Sequence, residues 1–134
     1  MIVGERIPEI RRRIDLPTLV RYAGASGDFN RIHYDEAYAR EAGLDGIIGH
    51  GLLALALVGE AVTDWVGDPG VVRSLDGRFT QSYRLGDVLT VSGEVQRLED
   101  GLAHVALRCT NQDGMEIIGK AGATVLAGER SLDG

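Results

Sequence analysis

The most apolar stretch of the chain is LLALALVGEAVTDWV, residues 52–66, in which only Glu60, Thr63 and Asp64 interrupt the hydrophobic coat. A helix apolar nearly all round is buried in the middle of something, so this stretch predicts a central helix that GDPG at 67–70 terminates. Beyond it the texture changes. The runs VVRSLDGRFTQSYRL, DVLTVSGEVQRL, LAHVALRCT and MEIIGKAGATVL are parted by LGD, EDG and NQDG, turn signals between about four strands in meander spacing. Upstream, residues 7–14 alternate weakly and predict a first strand. Asp15 is suited to cap a helix that has Pro17 in its first turn and runs to about Ala25, stopping near Gly27. Asp35 caps a second helix, EAYAREA, which Gly43 ends, and a glycine-rich GLDGIIGHG leads into the central helix. The pieces assemble most simply as a single α+β domain over residues 1–134, an antiparallel sheet wrapped around one buried helix. The edges of so short a sheet invite pairing with a second copy.

A chain of 134 residues buries about two-thirds of its unfolded surface in one core. Its net charge of −6 argues against nucleic acid, because phosphate binding needs a basic face. The basic residues are mostly arginines, with Arg11, Arg12 and Arg13 in a run and Arg21, Arg31, Arg73, Arg78 and Arg84 following. They read as a solvated face or as a local site for a small phosphorylated ligand. Cys109 is the only cysteine, which excludes an intrachain disulfide and any zinc-knuckle spacing. The opening MIVGERIPEIRRR lacks the apolar centre of a signal peptide, and the longest apolar run, residues 51–58, is too short for a bilayer. The expectation is a cytoplasmic protein with no membrane partner.

Candidate chemistry sits in SGDFNRIH, residues 26–33. In a helix, a separation of five residues puts side chains about 140° apart, and in a strand it puts them on opposite faces. Asp28 and His33 therefore converge only through a turn, which Gly27 and Asn30 can make. A carboxylate and a neutral imidazole on one water can perform general acid–base catalysis. Alternatively, Asp28 caps a backbone turn and His33 is a satisfied, half-buried histidine. Asn30 suits an Asx-type hydrogen bond that fixes the loop or holds a ligand. No metal is expected, because no second His or carboxylate falls at a helix spacing that completes a site. In IIGHGLL, Gly49 and Gly51 flank His50 at the start of the central helix. The first N–H groups of a helix lack internal partners and lie at its positive end, and a glycine there lets an oxygen approach the backbone. The site is either an oxyanion cradle or a plain tight turn.

The stretch YAGASGDFNRIHYDEAYAREAGLDGIIGHGLL, residues 22–53, resembles the hydratase motif of the MaoC-like, (R)-specific enoyl thioester hydratases and dehydratases: Ser-Gly-Asp-x-Asn-Pro-apolar-His, an Asp, a helix, a Gly and a downstream His-Gly. RFTQSYRLGDVLTV is similar to the family's strand and turn after the central helix. The resemblance implies a hot-dog fold, usually dimeric. It implies that Asp28 and His33 grip a water, that Asn30 supports the loop, that the Gly51 N–H holds the thioester oxygen, and that His50 is structural. It implies an acyl thioester of coenzyme A or of acyl carrier protein as the ligand, with no metal or redox cofactor. Two positions depart from the pattern. Arg31 stands where the family has Pro, freeing φ, and is a candidate to reach a carrier phosphate; Gly59 stands where some members place a Ser. The rival readings are a hot-dog thioesterase, for which Glu60 is the one residue that could supply the carboxylate on the central helix, and a non-catalytic subunit of a heterodimeric dehydratase.

Overall fold

In the computed structural model, residues 1–127 are described; residues 128–134 of the expected domain lie outside them. The strands are β1 (Ile10–Arg13), β2 (Val72–Phe79), β3 (Val88–Glu99), β4 (Leu102–Thr110) and β5 (Glu116–Leu126), and the helices are α1 (Leu16–Ser26), α2 (Glu36–Glu41) and α3 (Gly51–Val66). The five strands form one antiparallel sheet in the order β1-β3-β4-β5-β2. The curved sheet carrying α3 is the hot-dog arrangement.

Local chemistry explains most boundaries. Asp15 accepts from the Thr18 N–H at 2.9 Å and opens α1, and Asp35 accepts from the Tyr38 N–H at 3.1 Å and opens α2, each satisfying a donor that the helix cannot. Asp100 and Gly101, with φ of 54° and 77°, form the two-residue connection between β3 and β4 that a right-twisted hairpin requires. Residues 88–126 make the expected meander. The strand before them does not join it beside β3. β2 crosses to the far side and pairs with β5, leaving β1 and β2 as the two edges. The segment 80–87 is long enough to span the sheet, and it releases Tyr83 from strand pairing to enter the core. β1 is also shorter than the expected 7–14. Pro8 has no N–H to give a ladder, and Arg6 makes only an isolated bridge to Glu94.

The core is one cluster in which α3 contributes Leu53, Ala54, Leu57, Val58, Ala61, Val62 and Val66, packed with Val91, Val95, Val105, Ile118 and Val125 from the sheet. Each Leu, Val or Ile among them taken from water stabilises the fold by about 1.5–3 kcal/mol. The coat of α3 is not buried all round in the single chain, however. Leu52 is 60% exposed and Ala56 is also open to solvent, so an apolar stripe of the helix lies off the sheet. Gly59 is where a side chain is missing for a packing reason, since a Cβ there meets the Leu75 side chain of β2 at 3.1 Å.

Candidate active site

The loop after α1 is built by short-range hydrogen bonds in series. Gly27 ends α1 in the left-handed region, φ 77°, with its N–H on the Ala23 carbonyl, a conformation that penalises a Cβ. The Asn30 N–H donates to Asp28 Oδ1 at 3.2 Å, and the Ile32 N–H donates to Asn30 Oδ1 at 3.2 Å. Two successive Asx-type turns thus lead into a 3-10 turn, Arg31–His33. Asp28 therefore caps a turn with one oxygen and faces His33 with the other, Oδ2 standing 3.7 Å from Nε2. That separation exceeds a direct hydrogen bond, and the two acceptors face each other closely enough for one water to reach both.

His33 is 7% exposed, and its Nδ1 lies 2.9 Å from the Ile48 carbonyl oxygen. A carbonyl only accepts, so Nδ1 carries the hydrogen and a neutral His33 presents a bare Nε2 toward Asp28. Ile48 is itself tied back by its N–H to the Ile32 carbonyl at 3.2 Å, so the loop and the entry to α3 brace each other.

His50 is the N-cap residue of α3, yet its side chain makes no capping bond. The ring stacks on His33 with centroids 3.8 Å apart and planes 23° apart, and Tyr22 meets it edge-on at 4.8 Å. The N–H groups of the first helical turn, beginning with Gly51, are thus left without a side-chain acceptor, as an anion site at a helix N-terminus needs. A Cβ on Gly51 would approach the Phe79 ring to 3.2 Å. Gly49 has the tighter constraint: a Cβ there would overlap the Tyr83 ring, whose hydroxyl donates to the His50 carbonyl at 2.6 Å. Burial holds the Tyr83 phenol well above its usual range, so it remains a donor. Burial, and then the neighbouring His33, press the His50 pKa below its ordinary 6.5.

His33, Gly49, Gly51, Phe79, Tyr83 and Ile117 are among the walls of a cavity of about 340 Å³. It shares Ile48, Gln81 and Ser82 with a larger polar cleft of about 530 Å³ bordered by Asp45, Arg84, Asp87 and Asn111. The larger cleft carries neither member of the acid–base pair, whereas the smaller one is lined by His33 and Gly51, though not by Asp28. Arg31 lines neither. Its guanidinium bonds Asp35 at 2.8 Å and lies over the Tyr38 ring, so the reach to a carrier phosphate considered above is not its conformation here. Glu60 also stays away, paired with Arg12 of β1 at 2.9 Å and about 13 Å along the helix from Gly51.

Spacing alone does not bring His50 to the Asp28–His33 pair. Asp28, His33 and His50 place ligand-type atoms within 4.8 Å of one another, although no helix periodicity relates them. The arrangement suits a metal poorly, because the two rings are stacked and their lone pairs lie in separate, nearly parallel planes rather than converging. Each ring also commits one nitrogen to a backbone carbonyl, His33 to Ile48 and His50 to Asp28. Tyr83 was missed as well; its burial against Gly49 depends on a chain crossing that local pattern does not encode.

The described residues contain no helix long and apolar enough to cross a membrane. Among known families, the model for the MaoC like domain matches residues 3–113. The chain is 34% identical over 104 residues to the 3-oxo-4,17-pregnadiene-20-carboxyl-CoA hydratase beta subunit of Mycobacterium tuberculosis, covering 78% of this chain and 81% of that protein. It is 29% identical over 110 residues to a 3-hydroxybutyryl-CoA dehydratase of Methylorubrum extorquens, covering 81% and 70%. The unliganded R-hydratase of Pseudomonas aeruginosa superposes with a TM-score of 0.86 at 31% identity, over 94% of this chain and 82% of that one.

Proposed function

The chain belongs to the MaoC-like domain family, and on that premise we propose that it is a hydro-lyase: it adds water to 2-enoyl thioesters of coenzyme A with (R) stereochemistry and, in reverse, dehydrates 3-hydroxyacyl thioesters. The observation that carries this reading is the Asp28–His33 pair, two acceptors 3.7 Å apart beside the uncapped start of α3. The whole chain acts as one such domain, in the cytoplasm.

A water between Asp28 and His33 donates one hydrogen to the carboxylate and one to Nε2. As its oxygen attacks the β-carbon, Nε2 takes the proton and the imidazolium forms beside the Asp28 charge. The double-bond electrons move toward the thioester carbonyl, whose growing charge meets the Gly51 N–H at the positive end of the helix. The imidazolium then gives its proton to the α-carbon. One water has supplied both the hydroxyl and the hydrogen, on one face of the alkene, and no redox change occurs. Each acid–base group contributes on the order of 10²–10⁴ in rate.

The stripe of α3 left open, the exposed Phe79 and the free edge of β2 lie together near Gly51. They support a homodimer in which a second copy covers the site's flank. The subunit status of the mycobacterial relative favours the alternative that a related but different chain fills that place. A thioesterase is disfavoured by the Arg12–Glu60 pair.

Crotonyl-CoA tests the reading. Loss of the enoyl absorbance, with (R)-3-hydroxybutyryl-CoA as product and no free thiol, is the expected result. Thiol release without hydration would replace it with the thioesterase; no turnover until a second related chain is added would replace the homodimer with a heteromer.

A further inference from the structure

His50 is buried, at 2% exposed, and the mechanism above leaves it without a task. Its Nε2 lies 3.3 Å from the Asp28 carbonyl oxygen, which can only accept, so the hydrogen is on Nε2. Its Nδ1 is buried with no hydrogen-bond partner. Leaving a buried acceptor unpaired is costly, and an aliphatic residue in its place would avoid the cost. What an aliphatic residue cannot do is present a flat face to the His33 ring at 3.8 Å while donating to the backbone of Asp28.

We propose that His50 is a positioning residue for the acid–base pair: a neutral imidazole, protonated on Nε2 alone, that pins Asp28 through its carbonyl and floors the His33 ring. The backbone of His50 is fixed from two sides, because its carbonyl accepts from the Tyr83 hydroxyl and the preceding Gly49 N–H donates to the Tyr83 carbonyl at 2.9 Å. One residue therefore sets the orientation of both halves of the site. Its ring holds Asp28 and His33, and its peptide begins α3 immediately before the Gly51 N–H.

The orphan Nδ1 keeps the ring neutral. A second proton would sit on a nitrogen with no acceptor, and the groups facing the ring are His33, Tyr22 and the carbonyl and carboxylate of Asp28, of which only the last is anionic. Stacked rings have no shared hydrogen-bond line, so His50 does not relay the catalytic proton either. The proton in transit resides on His33.

The inference rests on the hydratase reading for its kinetic arm only. Nitrogen-15 NMR of the imidazoles reads it independently. There are three histidines in the chain, so single-site variants assign the signals. His50 should show one protonated Nε2 and one bare Nδ1 at neutral pH; a His50 that is doubly protonated near neutrality would overturn the proposal whatever the substrate. In crotonyl-CoA hydration, His50→Phe keeps the floor and removes the donor, whereas His50→Gln keeps a donor and removes the floor. Both should lower kcat by roughly 10–100-fold, the cost of a misplaced catalytic group, with KM changed far less. Folded variants that retain kcat within about twofold of the parent would contradict it. If wild type does not hydrate crotonyl-CoA, the function reading has failed while the NMR result still stands or falls alone.

Discussion

At Gly51, a methyl group would press on Phe79, which is 56% exposed and free to give. Gly51→Ala should therefore fold normally and still lose activity by up to about 10²-fold, because the site's N–H and the rim of its cavity shift. Comparing its circular dichroism with its turnover decides the matter, and full activity would remove the oxyanion role. His50 predicts a pH effect on stability. The native state resists a proton that the unfolded chain accepts near its ordinary 6.5. The unfolded state thus binds more protons below that pH, so this contribution is complete above 6.5 and is lost as pH falls toward the lower native value. Urea midpoints measured down that range should fall less steeply for His50→Phe than for the parent. Asp28 and His33 were legible as a pair because only a turn can join them, and Gly27, Asp28 and Asn30 are turn formers in the right order. Ile48, which orients His33 from fifteen positions away, carries no signal of its own, since any residue has a carbonyl.

Between elements, the tightest fit is Gly49 of the α3 entry against Tyr83 of the crossing segment. Gly49→Ala forces these backbones apart and should cost about 1–3 kcal/mol, the usual range for an overpacked core, seen as a lower midpoint in denaturant. An unchanged midpoint would show that the contact relaxes freely. Cys109 of β4 reports on the sheet. Burial pushes its thiol up to about 11, so native protein should react with a thiol reagent only as fast as the sheet opens, and at once in denaturant. The hairpins were readable from Asp100-Gly101 and the Asn111 turn, whose side chain accepts from the N–H groups of 113 and 115. The position of β2 was not. Its own alternation is the same beside β3 or beside β5, and the choice is made by which edge can cover Leu55 and Leu75 while Tyr83 reaches the core.

For the whole molecule, the apolar coat of α3 predicted more burial than one chain supplies, and Leu52 at 60% exposure marks the shortfall. Solution scattering should give a particle of twice the chain mass, and Leu52→Glu should shift it toward the monomer with activity lost in step. A fully active monomer at micromolar concentration would set that aside. The central claim is that the loop holds a catalytic water between Asp28 and His33. Turnover of crotonyl-CoA by Asp28→Asn, His33→Ala and the double variant, each checked for folding, tests it most directly. Each single change should reduce the rate by about 10²–10⁴, and the double should be little worse than the poorer single because both groups serve one water. Folded single variants with most of their activity intact would contradict the account and leave Asp28 and His33 as loop structure.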